Sequence, residues 1–318
     1  MYFETAGIDV SLFVPPLTAL AISFFTSMAG VSGAFLLLPF QMSVLGFTNP
    51  SVSSTNQLFN IVAIPSGVYR YLREGRMVWP LTWAVIIGTL PGVLLGAWVR
   101  VAWLPDPRQF KLFAAAVLGY IGCRMARDLL FKKSGGHDRA KGEKRPQVTA
   151  REPGGAASPG TSGGPGLPPA RVIRFDAARI AYEFQGETYA VSTPGIFALS
   201  LLVGIVGGVY GIGGGSIIAP FFVSIYGLPV YTVAGAALMG TFVTSVAGVA
   251  FYQAIAPFYP HMSVAPDWGL GLLFGLGGMV GMYLGARCQR HVPARIIKGM
   301  LTAIIFFTVW KYVAEYLR

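Results

Sequence analysis

Long apolar runs separated by short polar segments make up most of this sequence. Their approximate bounds are 10–47, 52–72, 78–103, 108–131, 193–226, 229–256, 266–288 and 293–317. Most of them reach the roughly 20 residues that a helix needs to cross a bilayer. The pattern therefore predicts an all-α integral membrane protein.

The first and fifth runs are too long for one straight crossing. A helix over residues 11–46 would be about 54 Å long, whereas the hydrocarbon core of a bilayer is about 30 Å thick. Each run contains a glycine-rich motif, at 30–33 in the first and at 211–216 in the fifth. We expect the first helix of each half to break at its motif.

An internal repeat relates the two halves. A shift of 181 residues, without a gap, pairs identical residues: Gly33 with Gly214, Pro39 with Pro220, Phe40 with Phe221, Gly46 with Gly227, Val52 with Val233, and Gly67 with Gly248. In the third run, a shift of 189 pairs two series of glycines spaced four apart, namely Gly88, Gly92, Gly96 and Gly277, Gly281, Gly285. This spacing lets helices approach closely in a bilayer, either within one chain or across a homodimer.

The repeat divides the chain into a first membrane repeat at 1–131, a linker at 132–192 and a second membrane repeat at 193–318. Residues 134–170 are rich in Gly, Pro, Ser and charge, which is typical of disorder. Residues 179–191 alternate in character around a Gln-Gly pair and predict a β-hairpin. Basic residues outnumber acidic ones in the linker, which predicts a cytoplasmic location.

The number of elements in each half decides their relative orientation. If each long run counts as two pieces, each half has five elements and the repeats are inverted. With the N-terminus outside, most basic loops and the linker then lie inside, as the positive-inside trend requires. Arg100, Arg108 and Lys111 disagree with this arrangement. Four crossings per half fit worse, so we favour inverted repeats in a multi-pass protein of the inner membrane.

Composition narrows the function classes. The formal charge of +11 would suggest nucleic acid in a soluble protein, but the basic residues here lie between apolar runs, so we expect no nucleic-acid partner. The three histidines, His137, His261 and His291, form no cluster for a metal and no pair for nucleophilic catalysis. We therefore expect no cofactor, no metal site and no enzyme activity.

The two predicted helix breaks are candidate anion sites. The first turn of a helix has unpaired N–H groups and carries a partial positive charge, so it binds anions without a buried Lys or Arg. Inverted repeats with broken helices are a recurring design in transporters. The candidate residues at the breaks are Ser32, Gly33, Gly213, Gly214, Gly215 and Ser216.

The second run adds polar candidates. Asn56 and Asn60 are four residues apart and share a helical face, and the repeat pairs Asn60 with Thr241. Buried amides in a membrane need hydrogen-bond partners. These side chains either contact the anion or hold neighbouring helices together, and the sequence leaves both roles open.

At the two glycine motifs the chain resembles the TauE/SafE family of membrane proteins, also called the TSUP family of sulfite and organosulfonate exporters. The resemblance rests on the stretch from Gly30 to Phe35 with Pro39 after it, and on the stretch from Gly211 to Gly215 with Pro220 after it. The sequence departs from the family at Ser32, where a glycine is common, and in its long linker.

The resemblance implies a transporter of small sulfur-containing anions such as sulfite or organosulfonates, with an exporter as the first expectation. An anion channel or uniporter with the same site is an alternative. A membrane anchor that recruits a cytosolic partner through residues 132–192 is another.

Overall fold

The computed structural model describes residues 1–29, 32–73, 77–131, 171–184, 186–288 and 294–317. The first half contains β1 Tyr2–Phe3, β2 Ile8–Asp9, α1 Val14–Ala29, α2 Ala34–Ser43, α3 Ser51–Ala63, α4 Pro65–Arg73, α5 Trp79–Ala102 and α6 Pro107–Phe131. The rest contains β3 Arg171–Phe175, β4 Arg179–Phe184, β5 Glu187–Ser192, α7 Thr193–Tyr210, α8 Gly215–Ile225, α9 Val230–Ile255, α10 Trp268–Cys288 and α11 Ala294–Leu317.

Five helices in the described part of the chain, α5, α7, α9, α10 and α11, are long and apolar enough to cross a membrane. These helices carry apolar side chains on their exposed faces as well as on their buried faces. On α5, Trp79, Trp83, Ile87 and Leu95 are all exposed and recur every four or eight residues. Such a stripe suits lipid rather than water, and the chain is a multi-pass membrane protein.

Helix ends flank both glycine motifs. α1 ends at Ala29 and α2 begins at Ala34, although Gly30 and Val31 themselves lie outside the described residues. In the second half, α7 ends at Tyr210 and α8 begins at Gly215.

Each broken pair returns to the end of the molecule from which it started. Asn49, which follows α2, donates from Nδ2 to Thr5 O at 3.2 Å, in the segment before α1. Tyr226, which follows α8, places its hydroxyl 2.7 Å from where a Cβ on Gly195, near the start of α7, would lie. α1 with α2, and α7 with α8, therefore form helical hairpins.

The second apolar run contains two helices where the sequence predicts one over 52–72. α3 ends at Ala63 and α4 begins at Pro65. Proline has no N–H to continue the helical hydrogen bonds, and its ring clashes with the preceding turn. The second half has Val246 at the equivalent position, and α9 continues unbroken for 26 residues.

The glycine series pack against the other half of the same chain. A Cβ on Gly92 of α5 would lie 2.4 Å from Leu201 O of α7, and a Cβ on Gly281 of α10 would lie 2.3 Å from Leu20 O of α1. The shift of 181 residues also relates Leu20 to Leu201. The two contacts are therefore equivalent. In each, the first helix of one half packs against the glycine-bearing helix of the other half. A homodimer would have to use another surface.

The neighbours of the other glycines give the direction of these pairs. Along α5, Gly88 faces Ser200 and Gly96 faces Ile205 and Val209, so α5 and α7 run parallel. Along α10, Gly277 faces Pro16 and Gly285 faces Phe24, so α10 and α1 also run parallel.

A small antiparallel sheet of order β3-β4-β5 precedes α7. Gly186, between β4 and β5, has φ +79°, a conformation that favours glycine. Tyr182 in β4 lies 2.8 Å from Thr232 Oγ1 of α9 and attaches the sheet to the helices. Burial of this phenol raises its pKa to about 12. Residues 132–170 of the predicted linker lie outside the described residues.

Candidate anion-binding site at the paired helix breaks

The break between α7 and α8 requires glycine for two reasons. Gly211 and Gly213 have φ of +81° and +75°, in the left-handed region. Gly211 also ends α7, donating its N–H to Gly207 O at 2.9 Å. A Cβ on Gly211 would lie 2.4 Å from Ser53 O of α3, so any larger residue would separate α7 from α3.

The start of α8 faces hydroxyl groups on α9. Gly214 N donates to Thr244 Oγ1 at 3.2 Å, and Ser216 Oγ lies 3.2 Å from Thr241 Oγ1. Ser216 Oγ also donates to Ile212 O at 2.8 Å. The structure therefore places three predicted site residues, Gly214, Ser216 and Thr241, next to one another.

The start of α2 has fewer free N–H groups for a ligand than the start of a helix without a side-chain cap. Ala34 N donates to Ser32 Oγ at 3.3 Å, so Ser32 occupies one N–H of the first turn. A Cβ on Gly33 would lie 2.8 Å from Ser23 Oγ of α1. Gly33 thus allows α1 and α2 to approach closely.

The amides of α3 join the two breaks. Asn56 Nδ2 donates to Ala34 O of α2 at 3.0 Å and to Gly211 O after α7 at 3.1 Å. Asn60 Nδ2 donates to Ile212 O at 3.0 Å. An amide group has only two N–H donors, so both donors of Asn56 bind backbone carbonyls here, while Asn60 keeps one.

A second bridge lies close to the first. Tyr210, the last residue of α7, donates its hydroxyl to Phe35 O of α2 at 2.8 Å. Ser53 Oγ donates to Val209 O at 3.1 Å. Tyr210 and Asn56 therefore hold the start of α2 to the end of α7, while Ser53 attaches α3 to α7.

Two further buried polar side chains lie on α3 and α9. Sequence reasoning assigns Ser245 to contacts between helices and gives Gln57 no role. Gln57 is fully buried, and neither its Oε1 nor its Nε2 has a hydrogen-bond partner in the described part of the chain. Ser245 Oγ also lacks one there, and it would lie 2.9 Å from a Cβ on Gly213. The repeat contains a signal for Gln57, because the shift of 181 residues pairs it with the apolar Leu238.

Among the described residues, the candidate site has no charged hydrogen-bond partner. The hydrogen-bond partners of the two breaks are hydroxyls, amides and backbone groups. Within the described residues, no three His, Cys, Asp or Glu side chains lie close enough together to hold a metal ion. Positive potential at this site must therefore come from the helix starts and from N–H groups.

The chain matches the family described as sulfite exporter TauE/SafE over residues 16–312, which is nearly its whole length. It belongs to this family. The membership suggested by the two glycine motifs is therefore confirmed. No curated protein and no solved structure is similar enough to the chain to match it. As a TauE/SafE protein the chain is a membrane transporter of the sulfite exporter type and not an enzyme.

Proposed function

We propose that this protein exports sulfite or a small organosulfonate and binds it between the starts of α2 and α8. The observation that carries the proposal is the pair of hydrogen bonds from Asn56 to Ala34 O and Gly211 O. They hold the two breaks together, so the partial positive charges of two helix starts act on one region. In this account Asn56 positions the site, and the second amide hydrogen of Asn60 contacts the anion. The hydroxyls of Ser216 and Thr241 rotate to donate to the anion, away from Ile212 O and Ala237 O, to which they donate in its absence.

The buried polar atoms that lack hydrogen-bond partners among the described residues suit an oxyanion that carries a proton. Gln57 offers an oxygen acceptor and N–H donors, and Asn60 Oδ1 is an acceptor without a donor among the described residues. Bisulfite, the protonated form of sulfite, donates one hydrogen bond and accepts several. Uptake should therefore fall as rising pH deprotonates bisulfite, even though the described transmembrane helices carry no carboxylate at the breaks.

Burial of the site supports a carrier rather than an open channel. Asn56, Asn60 and Thr241 are all at most 1% exposed. An anion that binds there must wait for the surrounding helices to move, as in alternating access. A channel would have a continuous open path.

We also propose that the two repeats are inverted. After the hairpins α1–α2 and α7–α8, each half has three further elements when α3 and α4 are counted as one. The resulting odd number of elements supports this orientation. The sheet that carries Arg171, Arg174 and Arg179 then lies inside. With Cys123 and Cys288 replaced, a membrane-impermeant thiol reagent on intact cells should label a cysteine at Phe258 and spare one at Ile173. The reverse labelling would contradict this orientation.

The test of function is counterflow of ³⁵S-sulfite in proteoliposomes. A carrier gives saturable uptake that unlabelled internal sulfite accelerates, whereas a channel gives single-channel currents and no acceleration. Deletion of residues 134–170 serves as a control, because transport should survive it. Absence of any sulfite or sulfonate movement would contradict the proposal. It would favour a role of residues 132–192 in recruiting a cytosolic partner.

A further inference from the structure

Arg100 is a charged side chain that neither the fold nor the break site explains. It lies near the C-terminal end of α5 and is 0% exposed. The sequence places it among the residues that oppose the positive-inside trend. Because it is buried, Arg100 is not a loop residue that marks topology.

The Arg100 guanidinium has partners within the protein at Nη1 and on one face. Its Nη1 donates to Leu104 O, and its Cζ lies 3.8 Å from the centroid of the Phe110 ring. Neither Nε nor Nη2 has a hydrogen-bond partner among the described residues. These two atoms form one edge of the guanidinium, and their parallel N–H groups match two oxygens of a single oxyanion.

The charge of Arg100 also has no carboxylate partner within salt-bridge distance in the described part of the chain. Burial of an ion without a counter-charge is costly. An anion at the free edge would supply both the charge and the two missing acceptors. Capping of α5 alone uses only Nη1 and leaves Nε and Nη2 without acceptors.

Arg100 is connected to the break through one neighbour. Tyr252 of α9 packs with Ala97 and Val101 of α5, which lie three residues before Arg100 and one residue after it. The Tyr252 hydroxyl donates to Gly208 O at 3.4 Å, in the last turn of α7 before Gly211. Since α5 and α7 run parallel from the sheet, Arg100 lies toward the end of the molecule away from the sheet.

We propose that Arg100 forms a second anion-binding site, which holds a sulfite or sulfonate through Nε and Nη2 between the break and the outer face. The inference rests on the proposed function for the identity of the anion, the direction of export and the order in which the two sites are occupied. The site would receive the exported anion after it leaves the helix starts. Tyr252 would position Arg100 and line the path between the two sites.

The test is equilibrium binding of ³⁵S-sulfite to the purified full-length protein in detergent, at constant ionic strength in chloride. Wild type should bind two anions per chain, and Arg100→Gln should bind one. The glutamine keeps an N–H for Leu104 O and removes the charged edge. Arg100→Lys keeps the charge and loses the two-donor edge, so affinity at the second site should fall about 10- to 100-fold. Arg108→Gln, on exposed α6 surface nearby, should bind as wild type.

Comparison of wild type with the Arg100 variants separates the two proposals. Equal stoichiometry and affinity in wild type and both Arg100 variants would overturn the Arg100 site and leave the transport proposal intact. If wild type binds one anion and Arg100→Gln binds none, the Arg100 site is supported. The anion then binds at Arg100 and not at the breaks. If wild type binds no sulfite or sulfonate, both proposals fail. Should Arg100→Gln be misfolded by gel filtration, Arg100→Lys decides, and wild-type binding there would overturn the inference.

Discussion

At the scale of single residues, the amides of α3 set the geometry of the proposed site. Asn56 has both N–H donors on carbonyls that belong to different halves. This arrangement could not be predicted from the sequence, because the spacing of Asn56 and Asn60 gives their shared face but not the position of the carbonyls. The structure supplies those positions, and it separates Asn56, whose two N–H donors both bind carbonyls, from Asn60, which keeps one.

Replacement of Asn56 by leucine should destabilise the protein even when no anion is present. Two buried carbonyls would lose their donors, at a cost of about 2–4 kcal/mol in total. Thermal unfolding in detergent without sulfite measures this. Asn56→Asp, which keeps the shape and loses the N–H groups, should behave similarly. Unfolding of both variants at the wild-type temperature would mean that Asn56 does not hold the breaks together.

Replacement of Gln57, unlike that of Asn56, should stabilise the protein. A buried amide without partners costs stability, and the equivalent residue of the other half, Leu238, packs near Gly67 as Gln57 packs near Gly248. Gln57→Leu should therefore raise the free energy of unfolding by about 1–2 kcal/mol and reduce sulfite transport, since functional polar groups often cost stability. The matched control, Leu238→Gln, should destabilise. If Gln57→Leu is stable and transports sulfite at the wild-type rate, Gln57 does not contribute to the site.

At the scale of elements, glycine has two separate uses. Gly211 and Gly213 shape a break through their backbone conformation, whereas Gly92 and Gly281 lie in regular helices and bring another helix close. The four-residue spacing predicts that close packing will occur. It does not identify the partner helix, because α5 packs on α7 across about a hundred residues of intervening chain and no local signal encodes such pairings.

Alanine at either of the two equivalent packing glycines should have the same effect. Gly92→Ala and Gly281→Ala each place a Cβ within 2.5 Å of a carbonyl oxygen, and overpacking of this kind costs about 1–3 kcal/mol. Gly299→Ala is the matched control, because a Cβ there meets nothing within 4 Å. Unfolding temperatures should fall for the first two variants only. A fall in just one of the pair would contradict the equivalence of the two contacts.

At the scale of the whole molecule, the repeat explains most of the architecture. The first helix of each half packs on the third apolar run of the other half, and α3 meets α9 between them. The breaks, the membrane class and the family could all be predicted from local motifs and composition. The division at Pro65 was missed because hydrophobicity continues across it. The partner-free polar atoms of Gln57 and Arg100 become visible only once the neighbouring side chains are placed.

The central claim is that a small anion binds at the start of α8 during transport. The most direct test is the initial rate of ³⁵S-sulfite uptake by proteoliposomes that contain Ser216→Ala combined with Thr241→Val. The control is Thr308→Val on α11, which removes the same type of hydroxyl-to-carbonyl bond, to Ile304 O at 2.9 Å, away from the breaks. Loss of two hydrogen bonds to an anion predicts an apparent affinity about 10- to 100-fold weaker in the double variant, with the control unchanged. Wild-type affinity in a folded double variant would contradict binding at this helix start.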